Sequence, residues 1–138
     1  MKMNVLRPNF EKRGGLITVV VQHILTGQVL MVAYSDEAGW RKTLETGLVS
    51  LYSTSRKRSW VKGEESGNFM VVDEIYIDCD GDAVVYLVEP CGNKVACHTE
   101  AVTCFYRDFG GVTLLAPKAG ESEELPLTEV EVNERLLG

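Results

Sequence analysis

The sequence predicts an α+β, β-rich fold, a mostly antiparallel or mixed sheet carrying one or two helices. Segments rich in β-branched and aromatic residues outnumber helical ones. They do not alternate regularly with helices, as a doubly wound fold requires. The clearest helical segment, Ser35 to Gly47, has both a start and a stop. At 138 residues, 45% apolar and 25% charged, the chain suits a single globular domain with a real core.

The elements follow in chain order. Leu16 to Gln22 is rich in β-branched residues and reads as a strand. Leu25-Thr26-Gly27 makes a turn, and Val29 to Tyr34 returns as the second strand of a hairpin. Ser35 can cap a helix whose first turn holds Asp36 and Glu37. The helix runs through Trp40 and Leu44, and Gly47 stops it. Leu48 to Tyr52 is a short strand. Ser53 to Asn68, with Arg56, Lys57, Arg58, Trp60 and Lys62, reads as an ordered polar loop. Phe69 to Cys79 and Ala83 to Glu89 are strands joined or bent at Asp80-Gly81-Asp82, and Pro90 ends the second. Thr103 to Arg107 and Val112 to Leu115 are expected as further short strands. From Lys118 the chain turns acidic, as a loose extension or a short amphipathic helix. The expected organisation is a domain over 1–117, with 118–138 as its acidic C-terminal extension.

Composition removes several classes of function. No apolar run approaches the roughly 20 residues of a membrane span. The start, Met1-Lys2-Met3-Asn4-Val5, lacks the apolar core of a signal peptide, so a cytoplasmic location is expected. Thiols stay reduced there, and four cysteines then point to metal or catalysis before disulfides. A formal charge of −6 argues against non-specific nucleic-acid binding.

The chemistry concentrates in Asp78-Cys79-Asp80-Gly81-Asp82, Cys97-His98-Thr99 and Cys104. Side chains alternate faces along an extended chain, so the three aspartates should share one face and Cys79 the other. Carboxylates suit Mg²⁺ or Ca²⁺, and thiolates suit Zn²⁺. Two different metal sites, back to back, are therefore expected. Cys79, Cys97 and Cys104 offer three thiolates, and three ligands plus an open fourth position is the logic of a catalytic zinc. The bland alternatives are a solvated acidic turn and small buried core cysteines. An EF-hand is excluded. Glu89 falls at position 12 counted from Asp78, but position 6 is Ala83 rather than glycine, and an apolar strand follows. A zinc nucleobase deaminase is also excluded. Pro90-Cys91 is not followed by the second cysteine the signature needs, because residue 94 is Lys94. A non-catalytic, metal-stabilised binding domain is the rival from another class, with Cys91 as a fourth thiolate. Otherwise Cys91 reads as a spare thiol, and His23 has no role.

The same residues carry a family resemblance. Thr26-Gly27-Gln28-Val29-Leu30-Met31, Thr43-Leu44-Glu45-Thr46-Gly47, Trp60-Val61-Lys62-Gly63-Glu64-Glu65-Ser66-Gly67-Asn68, the aspartate motif, Ala96-Cys97-His98-Thr99 and Cys104-Phe105-Tyr106-Arg107 together resemble phosphoribosyl-AMP cyclohydrolases of histidine biosynthesis. The similarity covers about Val19 to Arg107. It implies hydrolytic opening of the adenine ring of phosphoribosyl-AMP by zinc-activated water. It also implies an intertwined homodimer with one Zn²⁺ and one Mg²⁺ per subunit. Asp78, Asp80 and Asp82 would hold Mg²⁺. Cys97 and Cys104 would hold Zn²⁺ together with Cys79 of the partner subunit. His98 and Glu64 are the acid/base candidates, and Arg56, Lys62 and Arg107 the phosphate grips. The chain departs from the common pattern at Glu65 and at Glu100-Ala101-Val102, where two arginines are usual. Some relatives carry a fused pyrophosphohydrolase domain, for which the tail here is too short.

Overall fold

Six strands form one mixed sheet: β1 (Ile17–His23), β2 (Val29–Ser35), β3 (Ser50–Ser53), β4 (Arg58–Val61), β5 (Met70–Ile77) and β6 (Ala83–Pro90). The computed structural model describes residues 6–109 and 128–137. It divides into two compact units, Met1–Tyr106 and Arg107–Gly138. The strand order in the first unit is β4-β3-β2-β1-β6-β5. Neighbours joined by short turns pair antiparallel, whereas β1 and β6 pair parallel. A parallel pair needs a long crossover, and the chain from β2 to β5, helix included, supplies it.

Alternation along the strands divides the sheet into two faces. Ile17, Val19 and Val21 on β1 and Val84, Tyr86 and Val88 on β6 point inward and are buried. The parallel register sets Val19 beside Val84 and Val21 beside Tyr86. Helix α1 (Glu37–Thr46) contributes to the same core. Its Trp40 stacks on Tyr86 with ring centroids 6.3 Å apart. On the other face one row runs Val32, Val20, Val85 and Tyr76 across four strands. A second row runs Tyr52, Tyr34, Thr18 and Ala83. Val32, Tyr34 and Tyr76 are exposed, so this outer face is both apolar and open.

The hairpin, the helix and the two long strands stand where the sequence places them, with four revisions. Asp36 rather than Ser35 caps α1: its carboxylate accepts from the Gly39 N–H at 2.8 Å, and the Ser35 hydroxyl donates to the Asp36 carbonyl. Gly47 does end the helix, in the left-handed region at φ 74°. The segment 53–68 is not all loop, because Arg58–Val61 pairs with β3 as β4. Charge conceals this strand, which lies at the sheet edge where polar side chains face water. Leu48 makes only a bridge to Val71, and the strand proper starts at Ser50. Thr103 to Arg107 is not a strand. That segment is pinned to the start of β2: the Cys104 N–H donates to the Leu30 carbonyl at 2.7 Å, and the Thr103 hydroxyl to the carbonyls of Val29 at 2.7 Å and Leu30 at 3.3 Å. The expected strand at Val112 to Leu115 and most of the acidic tail lie outside the described residues.

The second unit shows α2 (Glu129–Leu137). Thr128 and Glu131 start it with a reciprocal capping box: the Glu131 N–H donates to the Thr128 hydroxyl and the Thr128 N–H to the Glu131 carboxylate. Among the described residues no helix is long and apolar enough to cross a membrane.

Candidate active site

The aspartate motif is a turn and not a pleated strand. β5 ends at Ile77, and the Gly81 N–H closes the turn on the Asp78 carbonyl at 3.2 Å. Gly81 sits at φ 80°, a conformation that side chains with a Cβ resist. The Asp78 carboxylate accepts from the Ala83 N–H at 3.2 Å and so braces the exit. The three acids come together because the chain folds back, rather than because alternate residues share a strand face. One carboxylate oxygen from each of Asp78, Asp80 and Asp82 lies within 4.8 Å of the others. Hard oxygen donors at this spacing fit Mg²⁺ or Ca²⁺.

Two cations already face this cluster. Lys12 pairs with Asp80 through its ammonium and lies 3.6 Å from Asp82, and Arg13 Nε donates to Asp82 at 2.9 Å. Asp82 is buried, while Asp78 and Asp80 are exposed. The Lys12 ammonium first, then hydrogen bonding with Asp82 and Asp78, holds Asp80 down at about 2.

A cleft of about 680 Å³ opens between β2, the 53–56 turn, the 62–66 turn and the segment from Val95 to Cys104. Arg56, Lys62, Glu64, Cys97, His98 and Cys104 all line it. A tight turn delivers the middle of this set. The Glu100 N–H bonds the Cys97 carbonyl at 3.0 Å, and the Cys97 N–H bonds the Ala101 carbonyl at 3.1 Å. The Thr99 hydroxyl donates to Cys97 Sγ at 3.0 Å. That bond, reinforced by the Thr99 backbone and by Cys104, lowers the Cys97 thiol below its ordinary range. Partial desolvation and the adjacent Cys97 raise Cys104. The Lys62 ammonium favours the thiolate form of both. Paired sulfurs with one primed toward thiolate are soft donors fit for zinc, but they are two ligands and not three.

The other residues singled out in the sequence lie differently. Cys79 is exposed in the aspartate turn. Among the described residues the one cluster able to hold a metal within a single chain is the aspartate group, so the three cysteines do not converge there. Glu64 lines the cleft with its carboxylate accepting from the Val61 N–H at 3.3 Å. Lys62 lies 5.9 Å from the centre of the Trp60 ring. Arg107 belongs to the second unit and is exposed. Cys91 stands apart from the cleft lining, its thiol 3.9 Å from the Glu89 carbonyl. His23 braces the β1–β2 turn by accepting from the Leu25 N–H at 3.1 Å. Sequence reasoning passed over Lys12, Arg13 and the Thr99 hydroxyl. Adjacency to Cys97 was a signal for Thr99. Nothing local announces a pairing 68 residues away.

Comparison with known proteins yields a consistent picture. Residues 31–106 match the family described as phosphoribosyl-AMP cyclohydrolase. The chain is 52% identical over 101 residues to the phosphoribosyl-AMP cyclohydrolase of Methanoregula boonei, covering 73% of this chain and 80% of that one. It is 48% identical over 102 residues to the enzyme of that name from Syntrophotalea carbinolica, covering 74% and 81%. It is also 43% identical over 122 residues to a histidine biosynthesis bifunctional protein of Aquifex aeolicus, covering 88% of this chain and 58% of that one.

Proposed function

The chain belongs to the phosphoribosyl-AMP cyclohydrolase family, and from that premise we propose that it hydrolyses the N1–C6 bond of 1-(5-phosphoribosyl)-AMP. The product is the formimino-aminoimidazole carboxamide ribotide of the third step of L-histidine biosynthesis. The observation that carries this reading is the meeting of two thiols, a histidine, a glutamate and two basic side chains in one cleft.

The substrate's N1 bears a ribosyl group, so its ring is a cationic amidine and electrophilic at C6. Water adds at C6, and the bond to N1 breaks. His98 is the proposed base, taking the proton of the attacking water and returning one to N1 as it leaves. Glu64 is the second acid/base group. Arg56 and Lys62 grip the substrate's phosphates: Arg through paired hydrogen bonds, Lys as a point charge. Arg107 is a third grip on the resemblance alone. Cys97, Cys104 and Cys79 of the partner subunit would hold zinc, which would supply a Lewis acid beside the attacking water. Asp78, Asp80 and Asp82 would hold magnesium, which would supply a divalent charge that offsets the three carboxylates.

Sharing of zinc between subunits requires a homodimer. Two features support it: the failure of three cysteines to converge within one chain, and the open apolar rows of the outer sheet face. We place the enzyme in the cytoplasm, with 118–138 an extension of the catalytic domain. The test is a spectrophotometric assay of ring opening with metal analysis of the same sample. Turnover with one zinc per chain is expected, and Cys91→Ser leaves both unchanged. A purified chain that carries no transition metal and leaves the N1-substituted nucleotide intact refutes the reading.

A further inference from the structure

We propose that Lys12 and Arg13 are built-in counter-ions of the aspartate cluster, and that Lys12 sets its affinity for a divalent cation by competing for the same carboxylates. The inference rests on the proposed Mg²⁺ site and assigns a role to residues outside its ligand set.

The two cations are delivered by an anchored turn and not by a loose terminus. Phe10–Arg13 forms a short 3-10 helix with Phe10 buried beneath it. The Asn9 N–H donates to the Gly81 carbonyl at 2.7 Å, so this turn is bonded to the aspartate turn itself. The Asn9 side chain accepts from the Lys12 N–H at 3.2 Å and fixes the start of the helix. Lys12 and Arg13 therefore reach the cluster from a fixed base.

They meet different oxygens. Arg13 bonds Asp82, whose side chain is 9% exposed, through a guanidinium that stays charged at any working pH. That pair serves as a clamp. Lys12 bonds Asp80, whose side chain is 50% exposed, and the ammonium rides on a flexible stem. That pair can exchange. A divalent cation gathered by Asp78, Asp80 and Asp82 faces Lys12 in one of two ways. It displaces the ammonium from Asp80, or it binds with a like charge a few ångströms away. Both weaken binding, since charges at this separation repel appreciably even in a wet site. Without Lys12 the cluster keeps three carboxylates against one cation, and the attraction for a divalent ion rises.

The test is Mn²⁺ titration, followed by the electron paramagnetic resonance of the free ion. It uses the full-length, zinc-loaded protein dialysed into Mg²⁺-free buffer. Lys12→Met should bind Mn²⁺ about tenfold more tightly than the parent, the scale expected for removing one like charge at such range. Lys12→Arg keeps the charge and should stay near the parent, whereas Asp80→Asn should bind far more weakly. Equal or weaker binding by Lys12→Met, while Asp80→Asn is impaired, overturns the role given to Lys12. If Asp80→Asn binds as the parent does, the aspartates hold no divalent ion, and the Mg²⁺ reading falls together with this proposal.

Discussion

Subunit complementation tests the proposed shared zinc centre most directly. Cys97 and Cys104 share one cleft, whereas Cys79 sits exposed in the aspartate turn and does not join them in the same chain. If Cys79 serves the partner's site, each dimer has two zinc sites, each split between chains. Cys79→Ser then empties the Cys79 half of the sites, and Cys97→Ser empties the cleft half. Each variant alone should lack zinc and activity. In a dimer made of one chain of each kind, the intact cleft of the Cys79→Ser chain meets the intact Cys79 of its partner. The other site is doubly broken. Random pairing makes about half the dimers mixed, and each mixed dimer has one working site of two, so activity and zinc should return to about a quarter of the parent level. Co-expression with two affinity tags isolates the mixed dimer, which should show about half. Pairing Cys97→Ser with Cys104→Ser is the control: both changes strike the cleft half, no site is whole, and nothing should return. Recovery in the control, no recovery in the test pair, or full zinc in Cys79→Ser alone would each refute the division of ligands.

Other expectations follow from single contacts. His98→Ala should lower turnover about 10²–10⁴-fold with zinc retained, and normal turnover would remove His98 as the base. Thr99→Val keeps the shape but loses the hydroxyl donated to Cys97. Zinc affinity, read by competition with a chromogenic chelator, should fall about 10–100-fold. Leu51 is fully buried, so Leu51→Ala should cost about 2–5 kcal/mol in urea denaturation with little change of slope. The Lys12–Asp80 pair also has a pH consequence. Lys12 foremost, with Asp82 and Asp78 behind it, depresses Asp80 in the folded state to about 2, below the unfolded carboxylate value near 3.9. Its stabilisation is therefore complete above about pH 4 and fades as pH falls toward 2. In chelator, Lys12→Met should lose that part of the acid limb and no other. An identical acid limb in parent and variant would show that the pair contributes nothing to stability.

Element types along the chain follow from local physics. β-branched runs bounded by turn residues specify β1, β2, β5 and β6, and Gly47 alone can end α1 where it does. The ligand types of both proposed metal sites are likewise readable, because hard carboxylates and soft thiolates announce themselves by chemistry. β4 escaped because at a sheet edge a charged strand is indistinguishable from a polar loop. The apolar residues around Cys104 resemble a strand in sequence. Hydrogen bonds to β2, unreadable from composition, hold that segment instead.

What the amino-acid order determined by itself is therefore the set of building pieces and reactive groups. Their assembly was decided in three dimensions. Only the parallel pairing of β1 with β6 sets Val19 beside Val84, and only folding back at Gly81 converts three alternate aspartates into one cluster. Only the docking of Phe10 carries Lys12 and Arg13 onto carboxylates nearly seventy residues further on. Local propensity acts over a few residues. Contacts between distant segments depend on how buried apolar faces pack, and that is settled by the whole chain at once.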